Sequence, residues 1–154
     1  MDVPVHREGS IVIACTPEDL YELVSDVTRM GGWSPVCKAC WWDEGAGPRV
    51  GAVFTGRNEL PERTWETRSE VVAADAGREF AWVVAATGTR WSYAFEPVDG
   101  GTKVTESWDF PPEALLEHHH RFGDGAEAQV ADRSKLAESG IAATLQAIKA
   151  TAEA

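Results

Sequence analysis

The sequence predicts an α+β fold in which a seven-stranded antiparallel sheet wraps around a long C-terminal helix, with a small helical segment after the first strand. Two observations predict this arrangement. Six consecutive segments have strand-like composition, and short turn sequences separate most of them, as is typical of an antiparallel meander. The final stretch has an apolar stripe at helical spacing, and it therefore needs a broad apolar surface to cover. We expect one domain, spanning residues 1–154.

The first strand is predicted at Ser10–Cys15, where β-branched residues dominate. A helix is predicted to follow directly. Thr16 is a suitable N-cap residue for it, and Pro17 is well placed at the first helical position. The apolar face of this helix is predicted to consist of Leu20, Leu23, Val24 and Val27.

Six further strands are predicted to form the meander. Polar and apolar residues alternate in several of them, so one face of the sheet is predicted to be aromatic and the other solvated. Pro111 and Pro112 end the sheet, and a short helix is predicted at Glu113–Phe122. The six predicted strands are Val36–Trp42, Val50–Leu60, Arg63–Ala73, Arg78–Ala86, Thr89–Val98 and Thr102–Phe110.

The long C-terminal helix is predicted at Ala131–Ala154. Its apolar stripe consists of Leu136, Ile141, Leu145 and Ile148, at spacings of five, four and three residues. Burying these side chains contributes roughly 1.5–3 kcal/mol each to stability. The helix is therefore expected to pack across the apolar face of the sheet.

Composition and charge exclude several classes of function. The formal net charge of −11 argues against binding to nucleic acid or to anionic lipid surfaces, both of which recruit Lys and Arg. The sequence contains neither a signal-peptide pattern nor a membrane-spanning apolar run, so a cytoplasmic location is expected. We expect no cofactor, and the sequence leaves open whether the chain is a monomer or a homodimer.

Two motifs suggest metal binding, but their spacing does not support it. Cys37 and Cys40 form a C-x-x-C motif in a predicted strand, where positions three apart should point to opposite faces. The run His118–His120 places consecutive residues about 100° apart on a helix, so the three imidazoles cannot converge on one ion. We therefore predict no metal site and no redox site at either motif.

Several stretches together resemble the START-like, Bet v 1-like (SRPBCC) superfamily, and within it the polyketide cyclase/dehydrase and lipid-transport family. The stretches are IVIACTPEDLYELVSDV, WSP, VGAVFTGRN, TWETRSEVV, FAWVV and GGTKVTESW, together with the C-terminal helix. They occur in this order along nearly the whole chain. The resemblance implies a helix-grip fold with an apolar cavity between sheet and helix, which takes a small hydrophobic or amphipathic ligand such as a lipid, a polyketide-like molecule or an aromatic compound.

The inward strand faces supply the walls of the cavity that the resemblance implies. Trp33 is expected near its mouth. The chain has seven tryptophans, which fit either an aromatic-lined pocket or simply a bulky core. The candidate ligand-binding residues are Trp33, Phe54, Asn58, Trp65, Thr67, Trp82, Tyr93, Glu106 and Trp108.

Glu106 and Tyr93 are the candidate catalytic residues. Glu106 shares a strand face with Val104 and Trp108, so it is predicted to point inward, where loss of solvent raises the pKa of a carboxyl group. The alternatives are a structural carboxylate bonded to backbone or to Tyr93, or one at the rim. Arginines that could polarise a polyketide carbonyl are predicted on outward faces, and they are Arg57, Arg68 and Arg90.

Three functions remain open from the sequence. The first is binding of a small hydrophobic molecule by a carrier or sensor. The second is a cyclase or dehydratase that uses Glu106 and Tyr93 as acid and base. The third is an interaction protein whose cavity is filled by its own tryptophans.

Overall fold

Seven antiparallel strands form a single sheet in the computed structural model, which describes residues 5–45, 47–111, 120 and 123–154. Two α-helices are described in full beside the sheet: α1 (Pro17–Ser25) and α2 (Ala126–Ala152). Short 3-10 helices span Val27–Gly32, Asp43–Gly45 and Gly123–Gly125. The strands are β1 (His6–Ile13), β2 (Cys37–Trp42), β3 (Val53–Leu60), β4 (Arg63–Asp75), β5 (Glu79–Val84), β6 (Arg90–Val98) and β7 (Gly101–Asp109).

The sheet has the order β1-β7-β6-β5-β4-β3-β2, and all its neighbouring strands are antiparallel. Strands β2 to β7 therefore form the predicted meander, which is confirmed. Strand β1 lies beside β7, with Ile11 opposite Val104, so β1 and β2 are the two edges of the sheet. The chain passes from one edge to the other through α1 and the first 3-10 helix.

Helix α1 begins as its sequence predicts. Thr16 is the N-cap, and its Oγ1 accepts a hydrogen bond from the backbone N–H of Asp19 at 3.1 Å. Leu20 and Val24 are buried. The helix ends at Ser25, two residues before the last position of the predicted apolar face, because the Asp26 side chain caps the following 3-10 helix by accepting from Thr28 N.

Helix α2 packs on the sheet through the predicted stripe, of which Ile141, Leu145 and Ile148 are buried. It lies close to β1, where a Cβ added at Gly9 would be 3.0 Å from Ile141 Cγ2. Leu136 departs from the prediction, because 40% of this residue is exposed. It lies on the part of α2 that borders a cavity instead of the packed core.

The core lies between the inward face of the sheet and the two helices, with Phe80, Val71 and Val104 fully buried. Within the described ranges, no helix is both long and apolar enough to cross a membrane. The helix predicted at Glu113–Phe122 falls almost entirely outside the described residues, as do His118 and His119. His120 is described, and it is exposed.

Candidate functional site

A cavity of about 340 Å³ lies between the inward face of the sheet and α2. Strands β2 to β7 supply its walls, and the first two-thirds of α2 covers it. Most of the lining side chains are apolar, with a few polar groups among them, which is the usual form of a small-molecule site. The lining side chains include Met30, Phe54, Trp65, Trp82, Val84, Trp91, Trp108, Leu136 and Ala137.

Aromatic side chains contact one another along one wall, Phe54 and Trp82 edge to face and Trp82 and Tyr93 with tilted rings. The ring centroids of Phe54 and Trp82 are 5.6 Å apart, and those of Trp82 and Tyr93 are 5.9 Å apart. Four of the seven tryptophans line the cavity and leave volume open, namely Trp65, Trp82, Trp91 and Trp108. This contradicts the hypothesis that the tryptophans fill the interior.

The structure brings most of the candidate ligand-binding residues together around this cavity. Trp33 does not belong with them: it is buried, but it is absent from the described residues that line the cavity. Its backbone N–H bonds to Met30 O and its ring lies 5.7 Å from the Arg29 guanidinium, so the ring packs elsewhere. The candidates that line the cavity are Phe54, Asn58, Trp65, Thr67, Trp82, Tyr93, Glu106 and Trp108.

Asn58 and Thr67 form a polar pair in this wall. Asn58 Nδ2 donates to Thr67 Oγ1 at 3.3 Å, across the β3–β4 pairing. The amide of Asn58 is therefore held by the wall itself. Whether either residue binds a ligand stays a prediction.

Glu106 is the most deeply buried carboxyl group in the described part of the cavity wall. It lies directly opposite Tyr93 in the β6–β7 register, and only 4% of it is exposed. The Tyr93 hydroxyl donates a hydrogen bond to the carboxyl group. Glu106 Oε1 is buried and has no hydrogen-bond partner in the described part of the chain. Both the inward carboxylate and its bond to Tyr93 were considered from the sequence, and the structure contains both.

Burial controls the protonation of this pair. Loss of solvent raises the pKa of Glu106 to about 8, and the hydrogen bond from Tyr93 opposes this effect only in part. The pKa of Tyr93 lies well above its usual value, first because of burial and then because of the neighbouring Glu106 charge. Near neutral pH the site therefore holds mostly a neutral carboxyl group beside a neutral phenol.

Arg133 is a site residue that the sequence analysis missed. It projects from α2 into the lining of the cavity, where burial and the nearby Arg63 lower its pKa. The Arg63 guanidinium lies 4.1 Å from the centroid of the Trp65 ring, so two cations lie at this end of the cavity. Helical spacing could have indicated that Arg133 faces the cavity, because it precedes the lining residues Ala137 and Gly140 by four and seven positions.

The prediction that Cys37 and Cys40 point to opposite faces of the sheet is wrong. The β2–β3 register shifts between Cys37 and Ala39, so Lys38 is an extra residue in a β-bulge. Cys37 then lies opposite Asn58 and Cys40 opposite Gly56, two positions on the same face of β3. Both cysteines line the cavity.

No cluster of three or more His, Cys, Asp or Glu side chains suited to a metal ion occurs among the described residues. The absence of a metal site stays a prediction for the chain as a whole.

Comparisons with known proteins place these features in a family. The sequence profile of the family described as "Polyketide cyclase / dehydrase and lipid transport" matches residues 4–153. The chain is also similar to the solution NMR structure of a Polyketide_cyc-like protein from Corynebacterium glutamicum. The two sequences are 50% identical over 97% of this chain and 91% of that chain, and the TM-score is 0.71.

Two structures with lower identity share the fold. The di-domain ARO/CYC StfQ from the steffimycin biosynthetic pathway is 19% identical over 97% of this chain, with a TM-score of 0.72. The di-domain ARO/CYC BexL is 16% identical over 97% of this chain, with a TM-score of 0.73. The chain spans 50% of each of these two proteins. A comparison with curated proteins found no match.

Proposed function

Because the chain belongs to the polyketide cyclase/dehydrase and lipid transport family, we propose that it binds one small amphipathic molecule in the cavity between the sheet and α2. The observation that carries this proposal is an open, mostly apolar cavity of about 340 Å³ whose wall contains Glu106 Oε1, a buried carboxyl oxygen with no hydrogen-bond partner among the described residues. Cavities of roughly 300–1,000 Å³ are typical of small-molecule sites.

The walls indicate the chemistry of the ligand. An apolar or aromatic body fits against Trp82 and Trp108, since both are rigid and buried. A carbonyl or hydroxyl group on that body can bond to Glu106 Oε1, which donates when it carries the proton and accepts when it does not. The ligand therefore combines an apolar body with at least one hydrogen-bonding group.

Arg133 and Arg63 favour a ligand whose outer end is anionic. The net charge of −11 disfavours anions in general, but charges beyond about 8 Å are largely screened at physiological salt. Besides Glu106, one carboxylate residue among those described, Glu66, also lines the cavity, so two cations close to one end leave the local charge balance positive for a bound group. A cytoplasmic location and the absence of nucleic-acid binding remain predictions that agree with this ligand class.

Paired fluorescent probes test this ligand chemistry. Anilinonaphthalene sulfonate has an aromatic body and an anionic group, whereas phenylnaphthylamine has a similar body and no charge. We expect Arg133→Met to weaken binding of the sulfonate roughly three- to tenfold, or about 0.6–1.4 kcal/mol, and to leave the neutral probe almost unchanged. The matched control is Arg57→Met, because Arg57 is an exposed arginine outside the cavity. Equal loss of both probes in the Arg133 variant would contradict an anion-binding end.

A second candidate function is supported by the buried pair Glu106 and Tyr93. A neutral carboxyl group can protonate a leaving hydroxyl, and the resulting carboxylate can accept the proton lost from the adjacent carbon, so that water is eliminated. The raised pKa of Glu106, about 8, keeps the acid form available near neutral pH. The chain would then act as a cyclase or dehydratase on a polyketide-like substrate.

Glu106→Gln separates the two candidate functions. A carrier should bind the neutral probe nearly as before, since glutamine keeps the size and hydrogen-bonding capacity of the side chain. An enzyme should lose roughly 10²–10⁴-fold in turnover while binding is retained. The readout is loss of water from a β-hydroxy ketone of polyketide type, followed by mass spectrometry. If the wild-type chain shows no turnover above the rate in buffer, the enzyme candidate fails and the carrier remains.

A further inference from the structure

Two thiols meet in the wall of the cavity. Cys37 Sγ and Cys40 Sγ are 3.1 Å apart, and each residue is only 7% exposed. A sulfur–sulfur bond is about 2.05 Å long, so an approach of about 1 Å would bring the two atoms to bonding distance. A third sulfur, Met30 Sδ, lies 3.8 Å from Cys40 Sγ and completes an apolar, polarisable surround.

The local backbone conformation brings the two cysteine side chains together. The bulge at Lys38 turns both cysteines to one face, and Gly31 accommodates it: a Cβ at Gly31 would lie 2.1 Å from Lys38 O. Gly56 leaves room opposite the sulfurs, since a Cβ there would lie 3.3 Å from Cys40 Sγ and 3.4 Å from Cys37 Sγ. A side chain at either glycine would crowd the pair. The close approach of the two thiols is therefore a property of three neighbouring segments.

The two thiols are chemically different. The pKa of Cys37 is lowered, chiefly because Cys40 donates a hydrogen bond to it, while burial acts in the opposite direction. The pKa of Cys40 is raised by that same interaction and by burial. Cys37 is therefore the thiol that more readily forms a thiolate, and Cys40 is the thiol held in reserve beside it.

The prediction of no redox site rested on the two cysteines facing opposite ways, which the bulge prevents. We propose instead that Cys37 and Cys40 form a dithiol site that reduces a low-molecular-weight disulfide and closes to an intramolecular disulfide in the cavity wall. The Cys37 thiolate attacks one sulfur of the small disulfide, forms a mixed disulfide and expels one thiolate. Cys40 loses its proton to solvent, attacks Cys37 Sγ and expels the second thiolate. The protein loses two hydrogens, and the small disulfide becomes two thiols. The inference does not depend on the ligand proposed above.

The step order explains why the raised pKa of Cys40 does not block closure. Its largest cause is the interaction with Cys37, and that interaction ends when Cys37 enters the mixed disulfide. Cys15, the remaining cysteine, takes no part, because its Sγ donates to Ala152 O at 3.3 Å. Cys15 therefore serves as an internal control thiol in the same chain.

Redox titration with reduced and oxidised glutathione tests this inference by mass spectrometry. We expect the native wild-type chain to lose about 2 Da, reversibly with dithiothreitol, and peptide mapping to place the bond between Cys37 and Cys40. The Cys40→Ser variant should accumulate a glutathione adduct at Cys37, whereas Cys15→Ser should behave as wild type.

The same titration in urea shows whether the fold creates the site. We expect the effective concentration of the pair to be at least tenfold higher in the native chain than in the unfolded chain, a difference of about 30 mV. Equal or lower values in the native chain would overturn the inference, as would an adduct on Cys37 that never closes. The titration does not require the amphipathic ligand proposed above. A negative result would therefore count against the dithiol site and not against the proposed function.

Discussion

At the scale of single residues, Glu106 is the most deeply buried carboxyl group among the described residues. Its burial beside Tyr93 costs free energy whenever the carboxyl group ionises, because the bond from Tyr93 replaces the lost water only in part and Oε1 has no partner among the described residues. A purely structural position would be occupied more stably by a neutral side chain. Glu106 Oε1, which has no partner among the described residues, is therefore the atom at which the proposed ligand would complete the hydrogen bonding.

This cost predicts a pH dependence of stability. The folded-state pKa of Glu106, about 8, lies above the unfolded value of about 4.5, so the folded chain binds more protons between these two values. The free energy of unfolding should consequently fall as pH rises through this window, by about 1.4 kcal/mol per pH unit for this one group. Below about pH 4.5 the effect is absent, and above about pH 8 it is complete.

Urea denaturation of the wild type and Glu106→Gln at pH 5, 6.5 and 8 measures this effect. The variant should gain stability relative to wild type as pH rises. Other titrating groups, such as His6, whose pKa is raised by its bonds to Asp109 and Glu8, are present in both proteins and cancel in the difference. A difference that stays constant across the three pH values would show that Glu106 ionises normally.

At the scale of elements, most of the fold follows from periodicity, and the exceptions have local causes. Alternation predicted the inward faces of β4 to β7, and helical spacing predicted the buried face of α2. The bulge in β2 was missed, because alternation assumes that each residue has one partner, whereas Lys38 is an extra residue. The adjacent glycines Gly31 and Gly32 were the available signal, but a close backbone approach cannot be recognised without knowing the partner segment.

The packing of α2 gives a prediction at this scale. Leu145 is 3% exposed and packs in the main core, whereas Leu136 is 40% exposed at the cavity. Leu145→Ala should therefore lower the free energy of unfolding by about 2–5 kcal/mol. The Leu136→Ala variant makes the same chemical change on the same helix and should cost clearly less. Chemical denaturation measures the free energy of unfolding of both variants. Equal losses of stability in the two variants would contradict the placement of α2.

At the scale of the whole molecule, the cavity is a consequence of how helix and sheet meet. Strand alternation predicted most of its wall, including Trp82 and Glu106, but not whether any volume stays open. Openness depends on how closely α2 approaches the sheet, which is a tertiary property. The contribution of α2 itself, through Arg133, was missed for the same reason, since only tertiary packing decides whether a helix also forms a wall of the cavity.

A side chain that fills the cavity should prevent the proposed ligand from binding. Ala137 lines the cavity from α2, whereas Ala143 is exposed on the same helix. Titration with phenylnaphthylamine should show one saturable site per wild-type chain, with a Kd on the order of micromolar. We expect Ala137→Phe to weaken binding at least tenfold while the chain remains folded, and Ala143→Phe to bind as wild type. Unchanged binding in Ala137→Phe, or no saturable binding by the wild type, would contradict the account.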